Sequence, residues 1–348
     1  MLTLADLSRA TLARQMLLAR EKLDVPTAVE RLAGMQAQLA RAPSVGLFSR
    51  VTKIAPGDLE RAFDAKKIVR ATLMRGTLHL VSARDFLAFR GPVQRALDAG
   101  LAAILKGRMK DVEAPAVTKS ARAFFATPQT FDAFRKHLEE EGGDVRAKAY
   151  FVRCTVPLVQ LDAARFVLAE KHLGEKPKSQ TDARELVRRY LAAFGPATVA
   201  DAQTWSGIPD LKETFAAIRD ELVVLQDEKK RELFDLAKAP RDGDRAPARF
   251  LPEFDNLVLS HKDRRRFVAD AHRKSIYLPG LRVAPTFLAE GVIAGTWKIE
   301  RKKAVATLTV TPFDKLQKAD QKTLSDEGEA LARFVEPDAT SHVIRWAR

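Results

Sequence analysis

Apolar positions along the chain change period twice, and the changes divide it. Leu4, Leu7, Leu12 and Met16–Leu18 recur at helical spacing. Pro26 then opens a second helical stretch, VPTAVERLAGM, in the first-turn position that proline tolerates. A third follows Pro56 in APGDLERAFDA, and two strand-like runs, IVRATLM and TLHLVS, meet around Arg75–Gly76. The order is helix, helix, helix, hairpin. It returns at 181–237, where TDARELVRRYLAAFG, ATVADAQTWSG and PDLKETFAAIRD precede the strands ELVVLQ and RELFDLA. A weaker middle copy uses TFDAFRKHLEEEGG, DVRAKAYFVRC and the hairpin run VPLVQLDAARFVLAE.

Three helices with a two-stranded wing are the winged-helix variant of the helix-turn-helix. After residue 240 the pattern changes. APRDGDRAPARF reads as a loop, and FLPEFDNLVLS, RFVAD, SIYLP, GVIAGTWKIER and AVATLTVTPF read as β-like runs. A helix, ADQKTLSDEGEALARFV, and a last strand, SHVIRW, follow. The expectation is an α+β, mainly helical chain. Three tandem winged-helix modules (1–110, 111–178, 179–240) lead to a small C-terminal domain (241–348) that is β-barrel-like.

Charge sharpens this reading. The net charge is +14, with 59 Lys and Arg against 45 Asp and Glu. Residues 1–110 hold 19 basic against 9 acidic side chains and residues 241–348 hold 20 against 15, while the middle is near balance. The positive field therefore arises at the two ends, and a polyanionic partner fits it. Charges interrupt the apolar stripe of the first twenty residues, so neither a signal peptide nor a membrane span is expected there. The single Cys154 excludes a disulfide framework and cysteine-ligated metal centres, and a cytoplasmic location is expected. No phosphate loop, dinucleotide fingerprint or nucleophile elbow occurs, the six histidines form no metal-binding pair, and no cofactor is called for.

The candidate chemistry begins with Gln36 and Gln38 in AGMQAQLARAP. Residues two apart diverge on a helix and share a side only where the chain is extended. Either Gln36 continues the buried helical stripe of Val29, Leu32 and Ala33, leaving two unrelated glutamines, or the helix frays and both amides turn into one pocket. His79 alternates with Leu78 and Leu80 and faces away from them. Asp255 in LPEFDNLVLSH is a possible base or electrostatic stabiliser, or equally a turn anchor. The basic tracts KDRRR (262–266) and RKK (301–303) are solvated faces or phosphate contacts.

Four segments, GMQAQLARAPSVGLFSR, LMRGTLHLVSARD, FLPEFDNLVLSHKDR and GVIAGTWK, occur in this order. Together they resemble the AlkZ/YcaQ family of bacterial winged-helix DNA glycosylases, and the resemblance covers nearly the whole chain. Its defining motif is glutamine–apolar–glutamine, here Gln36–Ala37–Gln38; one branch of the family carries aspartate at the third place, so this chain resembles the AlkZ branch. The resemblance implies monofunctional removal of alkylated purines from double-stranded DNA, with Gln36 and Gln38 catalytic. Arg50, Arg75, Thr77, His79, His261, Lys262, Arg264 and Arg265 lie in or beside matching segments and are expected to contact DNA, with Asp255 and Asn256 as structural or electrostatic support. No membrane and no obligatory protein partner is expected. The alternative is a winged-helix DNA-binding protein or transcriptional regulator that lacks catalysis.

Overall fold

The computed structural model describes residues 1–241 and 246–347, so part of the loop expected at APRDGDRAPARF lies outside the described residues. The first helix, Leu4–Arg14, starts at a reciprocal cap in which Asp6 N donates to Thr3 Oγ1 and Thr3 N to Asp6 Oδ2. Helix Val25–Arg31 is capped by Asp24 and carries Pro26 in its first turn. Helices Ala42–Phe48 and Asp58–Asp64 lead into the hairpin Ile68–Thr72 and Leu78–Ser82, and helix Ala83–Leu105 follows.

The second segment adds helices Ala114–Phe124, Phe131–Glu141 and Val145–Thr155 and the hairpin Leu158–Gln160 with Arg165–Leu168. Its hairpin does not stand apart from the first. Arg70 pairs with Gln160 and Ala71 with Val159, so both hairpins merge into one six-stranded sheet. The third segment supplies helices Arg184–Phe194, Val199–Ser206 and Lys212–Ala217 and a separate two-stranded sheet, Leu222–Gln226 with Glu232–Leu236.

One apolar core runs through all three segments. Phe86, Phe89 and Leu97 of the long helix share it with Phe125, Phe134 and Val152 of the second segment and with Leu191, Phe194 and Trp205 of the third. Removing that surface from water favours a single continuous body over strung beads.

The C-terminal domain differs from the barrel expected. Its five strands run in the order Ser341–Trp346, Val305–Pro312, Val292–Lys302, Thr286–Ala289, Arg249–Leu251, an open sheet with two distinct edges. The last strand returns parallel to Val305–Pro312 after the crossover helix Lys318–Val335. That helix lays Leu324 and Leu331 on Phe250, Trp297 and Leu308, covering one face without closure. Two runs expected to be β are otherwise: FLPEFDNLVLS turns after Leu251 into the short helix Asn256–Leu259, and RFVAD follows a single turn of tight helix at Arg264–Arg266. Both are short apolar runs whose type periodicity alone does not decide.

The N-terminal helix is a linchpin. Leu12 and Leu17 pack with Leu257, Phe267 and Leu288 of the C-terminal domain. On its other side Arg14, only 1% exposed, makes a two-pronged pair with the fully buried Asp235, at 2.7 and 2.9 Å, and donates to Leu191 O at 2.8 Å. Arg14→Met would leave the buried Asp235 with Arg241 as its remaining cation among the described residues. We expect it to lower the unfolding free energy by about 3–5 kcal/mol, read from urea denaturation; a loss below 1 kcal/mol would show that the pair contributes little.

Candidate active site

The site starts where a helix stops. After Arg31 the backbone of Ala33 and Gly34 turns left-handed, with φ of 54° and 89°. Gly34 is required there twice over, because a Cβ would fall 2.7 Å from Val81 Cγ1 as well as facing the unfavourable φ. Asn256 pins this reversal by donating from Nδ2 to Gly34 O at 2.7 Å and Leu32 O at 3.3 Å. The chain then runs extended. Met35 and Gln36 pair antiparallel with Leu80 and His79, and Ala37 N donates to Leu78 O at 2.8 Å. Met35 and Ala37 enter the core and Gln36 faces away from them, while Gln38 lies exposed at the bend just past the strand. The helix therefore ends before Met35, and Gln36 lies on a strand rather than on the helical stripe of Val29, Leu32 and Ala33.

Each glutamine is held by its oxygen. Gln36, 7% exposed, accepts from Arg75 Nη2 at 2.8 Å; the exposed Gln38 accepts from Leu78 N at 2.9 Å. Because both partners are donors, each amide is oriented with Oε1 inward, and its NH2 group takes no hydrogen bond among the described residues.

Arg75 sits in the tight turn Met74–Gly76 with a left-handed φ of 55°, a conformation that is costly for a residue with a Cβ. Its Nη1 donates to the carbonyl of Trp205, one of the last carbonyls of helix Val199–Ser206, which lack partners within the helix. Its Nη2 also lies 3.4 Å from His79 Nε2. Burial and the nearby Arg264 guanidinium lower its pKa to about 10, so it stays a cation. No carboxylate pairs with it among the described residues.

His79, 1% exposed, has its pKa pushed down to about 3 by burial and by the charge of Arg75. It is neutral in the physiological range, and Nδ1, 3.0 Å from Thr77 O, carries the proton. Nε2 then presents a lone pair to Arg75. Thr77 Oγ1 donates to Met74 O at 3.2 Å and closes the same turn.

The expected residues therefore divide. Gln36, Gln38, Arg75, Thr77 and His79 come together. Arg264 joins them from the C-terminal domain, near Arg75, with Nη1 on Val258 O at 2.7 Å and its guanidinium over the Tyr277 ring. Lys262 and Arg265 are exposed, and Arg265 is paired with Asp263.

Two expected DNA contacts are interior residues. Arg50, 1% exposed, spends its guanidinium on Gln15 O, Gly46 O and Asp255. His261 is buried, 3.0 Å from Phe194 O, and burial lowers its pKa. Asp255 caps helix Asn256–Leu259 through Leu257 N and neutralises Arg50, the anchoring role rather than that of a base. Trp205 and Tyr277 escaped the sequence reading, since a backbone carbonyl and a ring face leave no local signature. No group of three or more His, Cys, Asp and Glu could hold a metal among the described residues.

A cluster of amides and arginines in which Arg75 meets no carboxylate among the described residues, on a scaffold of helices and hairpins, suits a protein that works on DNA. The chain belongs to the AlkZ-like DNA glycosylase family, whose model matches residues 29–334. An interstrand DNA cross-link repair glycosylase from Streptomyces sahachiroi is 26% identical over 169 residues, covering 46% of this chain and 44% of that protein. The matched region thus spans less than half of that relative's length. The fold matches that of a solved structure, the Streptomyces sahachiroi DNA glycosylase AlkZ, with a TM-score of 0.80 at 21% identity, covering 99% of this chain and 100% of that one.

The depressed histidine has a consequence in acid. Below pH 6.5 the unfolded chain protonates His79 while the folded chain holds it neutral to about pH 3, so its contribution to stability is full above 6.5 and is lost as pH falls through that window. We expect His79→Asn to flatten the dependence of unfolding free energy on pH between 4 and 6 by roughly 1.4 kcal/mol per pH unit. Urea titrations at several pH values measure it, and an unchanged slope would mean an ordinary histidine.

Proposed function

We propose that the protein is a monofunctional DNA glycosylase that hydrolyses the N-glycosidic bond of cationic alkylated purines, with water aimed by Gln36 and Gln38. The observation that carries this reading is a pair of amides at the end of one short strand, each held through its oxygen, Gln36 by Arg75 and Gln38 by the Leu78 amide.

The chemistry follows from what these groups lack. A glutamine amide is no general base near neutral pH; it donates and accepts hydrogen bonds. His79 is a poor base too, being buried against a cation. The substrate must therefore supply the driving force. A purine alkylated at N7 of guanine or N3 of adenine carries a positive charge. When the bond from C1′ to the base breaks, its electron pair neutralises that charge, and the base leaves without a proton from the enzyme. An oxocarbenium-like sugar remains. Water adds at C1′ and gives its proton to solvent.

Each amide offers that water an NH2 donor and the second lone pair of its carbonyl oxygen, enough to fix the water's direction. No lysine nucleophile is needed, so no strand-cleaving lyase step is expected. The exposed Gln38 leaves the pair open on one side, which suits adducts too bulky for a closed pocket. The cross-link repair named for the Streptomyces relative extends the proposed substrates to crosslinked purines.

The double substitution Gln36→Ala and Gln38→Ala should reduce release of N7-methylguanine from duplex DNA by about 100-fold or more. Duplex binding should stay within a few-fold. Abasic-site cleavage after incubation reads the first, and fluorescence anisotropy reads the second. Full activity in the double variant would overturn the assignment. A wild-type protein that binds the duplex and releases no base would instead make it a DNA-binding protein without catalysis.

A further inference from the structure

We infer that Arg75 is a positioning residue: it selects one orientation of the Gln36 amide and acts on bond cleavage through Gln36, not as an arm that grips DNA phosphate. This inference rests on the reading that Gln36 acts at the lesion.

Three observations support it. The first is where the guanidinium spends its donors. Nη1 is on Trp205 O, and Nη2 lies between Gln36 Oε1 and His79 Nε2, so the fork is turned into the protein. The second is its backbone. Arg75 is held left-handed in a three-residue turn, and the third segment leaves room for it with Gly207. A Cβ there would stand 3.1 Å from both Arg75 Cα and Arg75 N, and Gly207 itself has a φ of 76°. Strain kept at one residue and accommodated by a distant glycine marks a conformation that the surroundings enforce.

The third observation is the chemistry of the contact. A glutamine amide can turn over, exchanging Oε1 for Nε2, because its last torsion is soft and roughly two-fold. Arginine has donors and no acceptor, so only the orientation with Oε1 toward Arg75 is bonded. The NH2 group of Gln36 is then committed to the side from which a substrate arrives. His79 fits the same purpose, since a neutral imidazole with its proton on Nδ1 offers Arg75 a lone pair and no competing charge.

The carbonyl of Trp205 also gives the third segment a part in the site: it fixes one end of the arginine whose other end fixes Gln36. Coupling of this kind passes through contiguous hydrogen bonds and is measurable as non-additivity.

The test is a double-mutant cycle on single-turnover release of N7-methylguanine from a duplex. It uses the wild type, Arg75→Lys, Gln36→Ala and the combined variant, with duplex affinity and Tm measured on each. Lysine keeps a positive charge for any phosphate but cannot span Trp205 O and Gln36 Oε1 with a planar fork. We expect Arg75→Lys to slow release at least about 30-fold with duplex affinity within three-fold, and to cause no further loss once Gln36 is alanine. An equal fold-loss in both backgrounds, or weakened affinity with an intact rate, would overturn the inference. Gly207→Ala provides a second route that leaves Arg75 in place and moves its backbone; it should show the same dependence on Gln36. If Gln36→Ala alone released the base as fast as wild type, the reading of Gln36 as acting at the lesion would fall, a different result from additivity.

Discussion

The site depends on a backbone reversal of two residues. Ala33 and Gly34 turn left-handed, and the chain that leaves the helix Val25–Arg31 becomes a strand edge along Leu78–Ser82. That single change of period takes Gln36 off the helical stripe and onto a strand beside His79, with Gln38 held at the bend that follows. Everything else nearby serves the reversal. Asn256 arrives from the C-terminal domain to satisfy the carbonyls of Leu32 and Gly34. Val81 packs where a side chain on residue 34 would sit. The ladder continues through Ala37 N and then through the Gln38 side chain, whose oxygen takes the Leu78 amide that a backbone carbonyl would otherwise accept.

Part of the basic surplus in the first segment is interior structure. Arg14 and Arg50 are buried; Arg14 ties the N-terminal helix to Asp235, and Arg50 ties the end of helix Ala42–Phe48 to Asp255 at the head of helix Asn256–Leu259. Arg75 is half-buried and bonded to neutral acceptors only. These arginines carry opposite meanings. The first two sit opposite carboxylates, where removing a partner leaves a stranded charge. Among the described residues neither Arg75 nor its neighbour Arg264 forms an ion pair, so both add to the positive potential around the site.

The apolar pattern made the organisation legible wherever a segment was long and periodic. The helix at Lys318–Val335, the paired strands Val292–Lys302 and Val305–Pro312, and the hairpins near Arg75 and near residues 227–231 stand where their periods placed them. Short runs were ambiguous. FLPEFDNLVLS holds a strand and a helix in succession, and RFVAD lost its strand to a tight helical turn, because five apolar-rich residues fit either period. The expected barrel failed for a related reason: strand content says nothing of closure, which depends on whether the two edges meet.

At the site, the sequence by itself determined the two amides and the family resemblance that joins Gln36 and Gln38 to cleavage of a glycosidic bond. It could not tell Arg50 and His261, which are buried, from Arg75, which lines the site, since all three lie in matching segments. Only tertiary structure decided that. Burial and hydrogen bonding are properties of the partners that reach a side chain, and here the partners lie far along the chain: Asp255 for Arg50, Phe194 for His261, Trp205 for Arg75. A local pattern records which way a residue faces along its own element, whereas its charge state and its freedom to move are set by what packs against it.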